Sequence, residues 1–448
     1  MAATRDLTHG NVGKQIVGFT IPILLGALFQ QFYNVVDTAI VGKILGVEAL
    51  AAVGATGSIM FLILGFCNGL CAGFAIPVAQ RYGAGDEKGL RKAVANCFYL
   101  GAVLAVVITL ITIISCHAIL RLMNTPSNII DMSYSYLIVI FIGIPVTIFY
   151  NMMSGVIRAL GDSKTPLYFL IFSSLFNIIL DVICIKYLGW GTAGAAIATV
   201  TAQFVATILC GVYMKVKYDI LRGTAEDRRF DIDQIKVLFG MGLPMGLQYS
   251  ITAIGSILLQ TSVNGLGSDY VAAMSSGGKI SMFGICVYDS LGTALATFTG
   301  QNIGAGRMDR VDEGLKKSLI IGTIYSVIIF TVMYLFGNTF ALIFVSKSDV
   351  AIIQNIHLFL IANSAFYIFL LGVDTFRFII QGLGFSSLAM VSGLMEMIAR
   401  GLMGIFIVPK LGFTFACLAS PLAWIFACVF LVPAFLNIRK KLLTLNIK

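Results

Sequence analysis

The sequence predicts an all-α integral membrane protein: twelve transmembrane helices in two pseudo-symmetric six-helix lobes. Three observations predict it: the composition, the spacing of long uncharged runs, and a repeat at constant offset. Of 448 residues, 58 % are hydrophobic and 11 % charged, whereas a soluble domain carries about 25 % charged residues. Runs of roughly 20 to 28 nearly uncharged residues alternate with short polar breaks, and each run is long enough to cross a hydrocarbon core about 30 Å thick.

The runs predict helices at 14–43, 48–79, 90–119, 130–157, 164–187, 191–216, 235–262, 270–300, 313–341, 350–380, 386–408 and 413–437. The first is too long for a signal peptide and is read as part of the mature fold. Pro22 in the first and Pro145 in the fourth interrupt helical hydrogen bonding and are expected to bend those helices, which makes Pro22 a hinge candidate. In the second, Gly65-Phe-Cys-Asn-Gly69-Leu-Cys-Ala-Gly73 offers a small-residue face for close helix packing. Cys67 and Cys71 on it read as packing residues. The nine cysteines lie almost entirely in apolar runs with no pair across loops, so no disulfide framework is expected. The polar stretch Lys217–Lys236 separates the sixth and seventh helices. The expected organisation is an N-terminal lobe at 1–216, a cytoplasmic linker at 217–234 and a C-terminal lobe at 235–448.

The chain's +9 charge is distributed by topology rather than for nucleic acid. Of the 30 Lys and Arg residues, Lys43, Arg121, Lys186, Lys347 and Lys410 fall on the side opposite the N-terminus. Lys279, Arg377 and Arg400 fall within spans. All the others, from Arg5 to Lys448, fall on the N-terminal side, so the positive-inside rule places both termini in the cytoplasm.

The halves repeat each other at an offset of 221 to 223 residues. Pro22 matches Pro244, Leu50-Ala-Ala-Val53 matches Val271-Ala-Ala-Met274, and Gln80-Arg-Tyr-Gly-Ala-Gly85 matches Gln301-Asn-Ile-Gly-Ala-Gly306. Arg158-Ala-Leu-Gly-Asp-Ser163 matches Gln381-Gly-Leu-Gly-Phe-Ser386. Six helices is an even number, so both copies insert the same way up, as parallel repeats.

Ionisable groups inside a membrane cost at least about 2.5–3.5 kcal/mol and are functional candidates by default. Asp37, Asp181 and Thr199 fall at one depth, about 9–12 Å below the outer surface at 1.5 Å per residue. Asn177 shares a helix face with Asp181. Two carboxylates, an amide and a hydroxyl make an oxygen-rich site that suits Na⁺ at Asp37, Asn177, Asp181 and Thr199, and suits H⁺ equally. In the second half, Glu396 and Arg400 are four apart, Asp374 and Arg377 three apart, and their charges sum to zero. That cluster reads either as self-neutralised structure or as a relay or anchor for cationic substrates. Lys279 and Asp289 are ten apart on one helix, candidates for a cavity lining but not a pair. The polar positions have diverged between the copies: Asn151 aligns with Asp374, Ser173 with Glu396, Asn177 with Arg400.

Taken in order, Pro22…Asn34-Val-Val-Asp37-Thr38, the two Gln…Gly-Ala-Gly turns, Arg158-Ala-Leu-Gly161-Asp162 with Pro166, Asn177-Ile-Ile-Leu-Asp181 and Gly194-Ala-Ala-Ile-Ala-Thr199 identify a likeness. The chain resembles a bacterial multidrug and toxic compound extrusion (MATE) transporter over nearly its whole length. The resemblance implies two six-helix lobes and H⁺- or Na⁺-driven antiport of organic cations or amphipathic drugs by alternating access. It implies no cofactor beyond the coupling ion, and a monomer in the lipid bilayer of a bacterial inner membrane. It also implies a first-lobe cation site at Asp37, Asn151, Asn177, Asp181 and Thr199. The nearest alternative is a lipid-linked oligosaccharide or lipid flippase of the same superfamily, which would carry more cationic charge in its cavity than Lys279, Arg377 and Arg400 supply. An enzyme is not expected: the sequence has no His-Glu-x-x-His motif and no serine–histidine arrangement.

Overall fold

The computed structural model describes residues 6–123, 125–224 and 226–445; Arg5 and Lys448 lie outside the described residues. Every regular element among them is helical. Ten helices are long and apolar enough to cross a membrane, and two bent pairs bring the spans to twelve. We number the spans α1 (Val12–Leu45), α2 (Val47–Ala55 with Gly57–Gly83), α3 (Glu87–Leu122), α4 (Ile130–Ile142 with Ile144–Ala159), α5 (Lys164–Asp181) and α6 (Gly191–Lys217). The second set is α7 (Ile232–Asn264), α8 (Ser268–Gly304), α9 (Met308–Ala341), α10 (Val350–Ser364 with Tyr367–Gly382), α11 (Ser386–Leu402, running on to Leu411) and α12 (Phe413–Leu445). Long apolar runs make long helices here because, in lipid, every backbone N–H and C=O must be satisfied within the segment.

The repeat extends to the backbone. Gly85 and Gly306 both take positive φ, 66° and 70°, and each closes its helix with a six-residue loop: Asp86 N–H donates to Arg81 C=O at 3.1 Å, and Arg307 N–H to Asn302 C=O at 2.8 Å. An L side chain is strained at such φ, so glycine recurs there. α4 bends by 47° at Gly143, two residues before Pro145, as expected of that proline. α10 bends by the same 47° at the equivalent place without a proline, a bend that no residue type announced. α5 and α11 both pass into a π-helical turn, Val182–Tyr187 and Met403–Ile407, 221 residues apart.

The chain divides into two compact units. One holds residues 6–7 and Ile21–Gly246; the other holds Thr8–Thr20 and residues 247–445. Both repeat-opening helices, α1 and α7, therefore change unit along their length, within a few residues of Pro22 and Pro244. In the second unit the N-terminal segment is bound by Arg310, which donates to the Gly10 carbonyl and to Gln15 Oε1, each at 2.8 Å. In the first unit α2 and α7 cross in close contact: a Cβ on Gly73 would lie 2.5 Å from the Gly242 Cα.

The stretch after α6 belongs to the first unit and is strapped to α3. Arg91 Nε donates to the Ile220 carbonyl at 2.9 Å and Nη1 to Asp227 Oδ2 at 3.3 Å. Asn96 bonds both the Arg229 carbonyl, at 3.2 Å, and the Asp231 N–H, at 2.9 Å. Tyr218 donates to Asp162 Oδ2 at 2.8 Å, while Asp162 Oδ1 accepts the N–H groups of Lys164 and Thr165 that open α5.

Candidate functional site

In the first unit the late part of α1 supplies Asp37, and Asp181 is the last α-helical residue of α5 before its π turn. A π turn adds a residue and re-aims the side chains beside it, which is why such turns recur at functional positions. Asp181 is fully buried and Asp37 half-buried, and their carboxyl groups meet within hydrogen-bonding reach. The Asn177 amide is oriented by its neighbours. Its NH₂ donates to Asp181 Oδ2 at 2.9 Å and to the Tyr33 hydroxyl at 2.8 Å, and its oxygen accepts from the Thr199 N–H at 2.9 Å. Thr199 directs its own hydroxyl to the Ala195 carbonyl at 3.0 Å. Tyr136 of α4 is buried within electrostatic range of both carboxyls.

Asp37 Oδ1 and Asp181 Oδ1 are buried without a hydrogen-bond partner. Two carboxyls in contact, with oxygens left over, call for a positive charge between them. A proton satisfies one oxygen; a hard cation takes several oxygen ligands. Among the described residues no group of three or more His, Cys, Asp or Glu side chains converges on a point. A cation placed here would have to take its remaining ligands from amide and hydroxyl oxygens such as those of Asn177, Tyr33 and Thr199.

The structure thus brings together Asp37, Asn177, Asp181 and Thr199. Asn151 instead donates to the Thr147 carbonyl on its own helix at 2.9 Å. Tyr33 and Tyr136 were not anticipated. Tyr33 carries a usable signal, one turn before Asp37 on the same helix face; Tyr136 carries none.

In the second unit both intrahelical ion pairs form. Arg377 lies 3.7 Å from Asp374 Oδ1, and Arg400 Nη2 lies 3.1 Å from Glu396 Oε2. The pairs are joined across helices, because Arg377 Nη2 also donates to Glu396 Oε1 and its Nε donates to Ser392 Oγ at 3.0 Å. All four charged residues are buried. Asp289 of α8, exposed, lies within electrostatic reach of Asp374, Arg377 and Glu396. With it, three carboxyl groups lie near two guanidinium groups. Asp374 Oδ2 and Arg400 Nε and Nη1 are buried without partners. Lys279 is exposed with its Nζ 5.9 Å from the centre of the Phe344 ring, apart from Asp289 as its spacing requires.

Comparison with known proteins agrees with this architecture. The MatE family model matches residues 22–183 and 244–405, once per repeat. The chain is 30% identical over 344 residues to the Bacillus subtilis (strain 168) "Probable multidrug resistance protein YpnP", covering 77% of each chain. It is 23% identical over 358 residues to the "FAD transporter" of Shewanella oneidensis, covering 78% of each. Among solved structures, a crystal structure of MATE in complex with MaL6 superposes with a TM-score of 0.88 at 24% identity over 99% of both chains. An outward-facing MATE transporter of the MOP superfamily gives 0.89 at 24% identity over 98% of both. The chain belongs to the MATE family of multidrug efflux transporters, and its relatives are transporters rather than enzymes.

Proposed function

We propose that this transporter exports organic cations or amphipathic drugs by antiport against H⁺ or Na⁺, with the coupling ion held at the Asp37–Asp181 pair. The observation that carries this reading is the meeting of two carboxyls beside an amide, with one buried oxygen on each left unpaired. Such a pair binds a cation or binds nothing well, and coupling requires only that ion and substrate favour different conformations. In the cycle, substrate enters from the cytoplasm while the pair holds no driving ion, and ion entry from outside resets the protein. Pro22 serves as a hinge, supported by its place where α1 changes compact unit. In the second unit the buried pairs serve as structure, and the exposed Asp289 carboxyl beside them offers a cationic substrate a partner.

Reconstituted vesicles with Na⁺ and pH gradients imposed separately test the reading. Dye efflux should follow one gradient and be lost in Asp37→Asn, with the variant still folded. Dye export retained in full by Asp37→Asn would sink the assignment.

A further inference from the structure

A cavity lies in the first unit, at the end of the bundle that carries the strap after α6. It has a volume of about 410 Å³ and lies between α3 and α6, with Met153 of α4 in its lining. Both α3 and α6 pack against the Ile144–Ala159 segment of α4, which forms the floor between them. That floor is apolar, lined by Phe98, Met153 and Met214. The rim is basic: Arg91, Lys215, Arg222 and Arg228 all line the cavity, and among the described residues no acidic side chain does.

The four cations are not equivalent. Arg91 is committed, with its three nitrogens on the Ile220 carbonyl, Asp227 and Glu87. Arg222 meets the exposed Asp219 at 2.9 Å. Lys215 and Arg228 are exposed and have no ion-pair partner among the described residues. Their backbones are held nonetheless, because the Tyr99 hydroxyl donates to the Arg228 carbonyl at 2.9 Å and Arg222 Nε to the Lys215 carbonyl at 3.3 Å. Away from the strap the walls remain apolar and exposed: Val103, Val106 and Leu110 continue along α3, and Phe204, Ile208 and Val212 along α6.

We propose that this cavity binds an anionic phospholipid, its phosphodiester on Lys215 and Arg228 and its acyl chains along the apolar faces of α3 and α6. Two features choose this ligand. Unpaired basic groups at a membrane–water boundary attract anionic headgroups, and a floor of methionine and phenylalanine opening onto lipid-facing helices suits hydrocarbon. A free phosphate would use the rim and leave the floor empty. The ties from Arg91, Asn96 and Tyr99 hold the strap on α3, so the site is preformed.

The test is native mass spectrometry of the full-length protein in a nonionic detergent, offered dimyristoylphosphatidylglycerol, dimyristoylphosphatidylcholine or inorganic phosphate. The phosphatidylglycerol should be retained over the phosphatidylcholine, and inorganic phosphate should not displace it. Each basic side chain is worth about fivefold near an anionic lipid, so Lys215→Gln with Arg228→Gln should weaken retention about 25-fold. Gly211→Leu, which fills the floor beside Met153, should weaken it with every charge intact; Met153→Trp replaces it if that variant does not fold. Equal retention of the two lipids, or no loss in the double variant, would overturn the proposal. Displacement by inorganic phosphate would assign the site to a free anion, and unchanged retention in the floor variant would reduce it to a surface charge patch; either result also overturns it.

Discussion

Asn177 donates to Asp181 Oδ2 at 2.9 Å from one turn earlier on α5, so the residue that orients the buried carboxyl belongs to the same rigid helix. The same amide reaches Tyr33 of α1 and Thr199 of α6, which makes it the junction of three helices. A hydrogen bond to a charged group is worth about 1.5–3 kcal/mol. Asn177→Leu should therefore shift the ion concentration needed for half-maximal efflux roughly 10- to 100-fold: upward if the ion is Na⁺, which loses an oxygen ligand, and downward if it is H⁺, because the carboxylate loses a donor that favours its charged form. Asn177→Gln keeps the amide but moves it by one methylene, and should reverse only part of the shift. Ion-dependent protection of tryptophan fluorescence or of thermal unfolding gives a binding readout independent of transport. Unchanged ion dependence in Asn177→Leu would exclude the amide from the site.

Glu396 is held between Arg377 and Arg400, all three buried. Removing the middle charge leaves two buried guanidinium groups facing each other, and breaking such an arrangement costs about 3–5 kcal/mol. Glu396→Leu should lower the thermal unfolding midpoint by several degrees and reduce folded yield. The triple variant Arg377→Met, Glu396→Leu, Arg400→Met should recover most of that stability, since well-packed apolar residues replace buried ion networks with little loss. If the triple variant is stable and still exports dye, the network is structural; if stable but inactive, it takes part in transport.

The fold was legible because lipid imposes a simple rule: each span is a long apolar run, and every predicted run corresponds to an observed span, with α12 running on past 437 to Leu445. What the sequence hides is what backbone alone decides. The bend of α10 has no proline, and the π turns after Asp181 and Arg400 have no composition of their own. The site was half legible. Asp37, Asn177, Asp181 and Thr199 could be placed by depth, because charged and amide groups are rare in membrane spans. Tyr136 could not, because an aromatic residue in an apolar run is ordinary until its neighbours are known. The link from Arg377 to Glu396 crosses helices, and no local spacing encodes it.

The Gly65–Gly73 stripe predicts close packing without naming the partner, which proves to be α7. A Cβ on Gly73 would stand 2.5 Å from the Gly242 Cα and 2.7 Å from the Met241 carbonyl oxygen. Both obstacles are backbone, so no rotamer change relieves them. Overpacking of this kind costs about 1–3 kcal/mol. Gly73→Ala should lower the unfolding midpoint by a few degrees, whereas Gly54→Ala, with open space where its methyl would lie, should leave it nearly unchanged. Equal midpoints for the two variants would mean that α2 and α7 do not meet in this register.

Asp231 opens α7 and ties the strap to α3. Its Oδ1 accepts the N–H groups of Asp233 and Gln234 at 2.8 and 3.2 Å, its Oδ2 pairs with Lys92, and its own N–H donates to Asn96. The Lys92 hydrogen bond, followed by the two backbone N–H donors, holds this carboxyl below its ordinary value. A carboxyl depressed in the folded state contributes stability that is fully present above its unfolded pKa, about 3.9. The contribution is lost as pH falls below that value through the lower folded one. Amide protection in the first turn of α7, corrected for intrinsic exchange, should therefore be constant above about pH 5 and fall steadily below about pH 4. Asp231→Asn keeps the capping oxygen, as asparagine caps nearly as well, but removes the charge that pairs with Lys92. Its protection should be lower at neutral pH and should lose the acid-dependent step at this turn. A wild-type step that survives in Asp231→Asn would assign the titration to another carboxyl of the strap, of which Asp227, bonded to Arg91, is the first to replace.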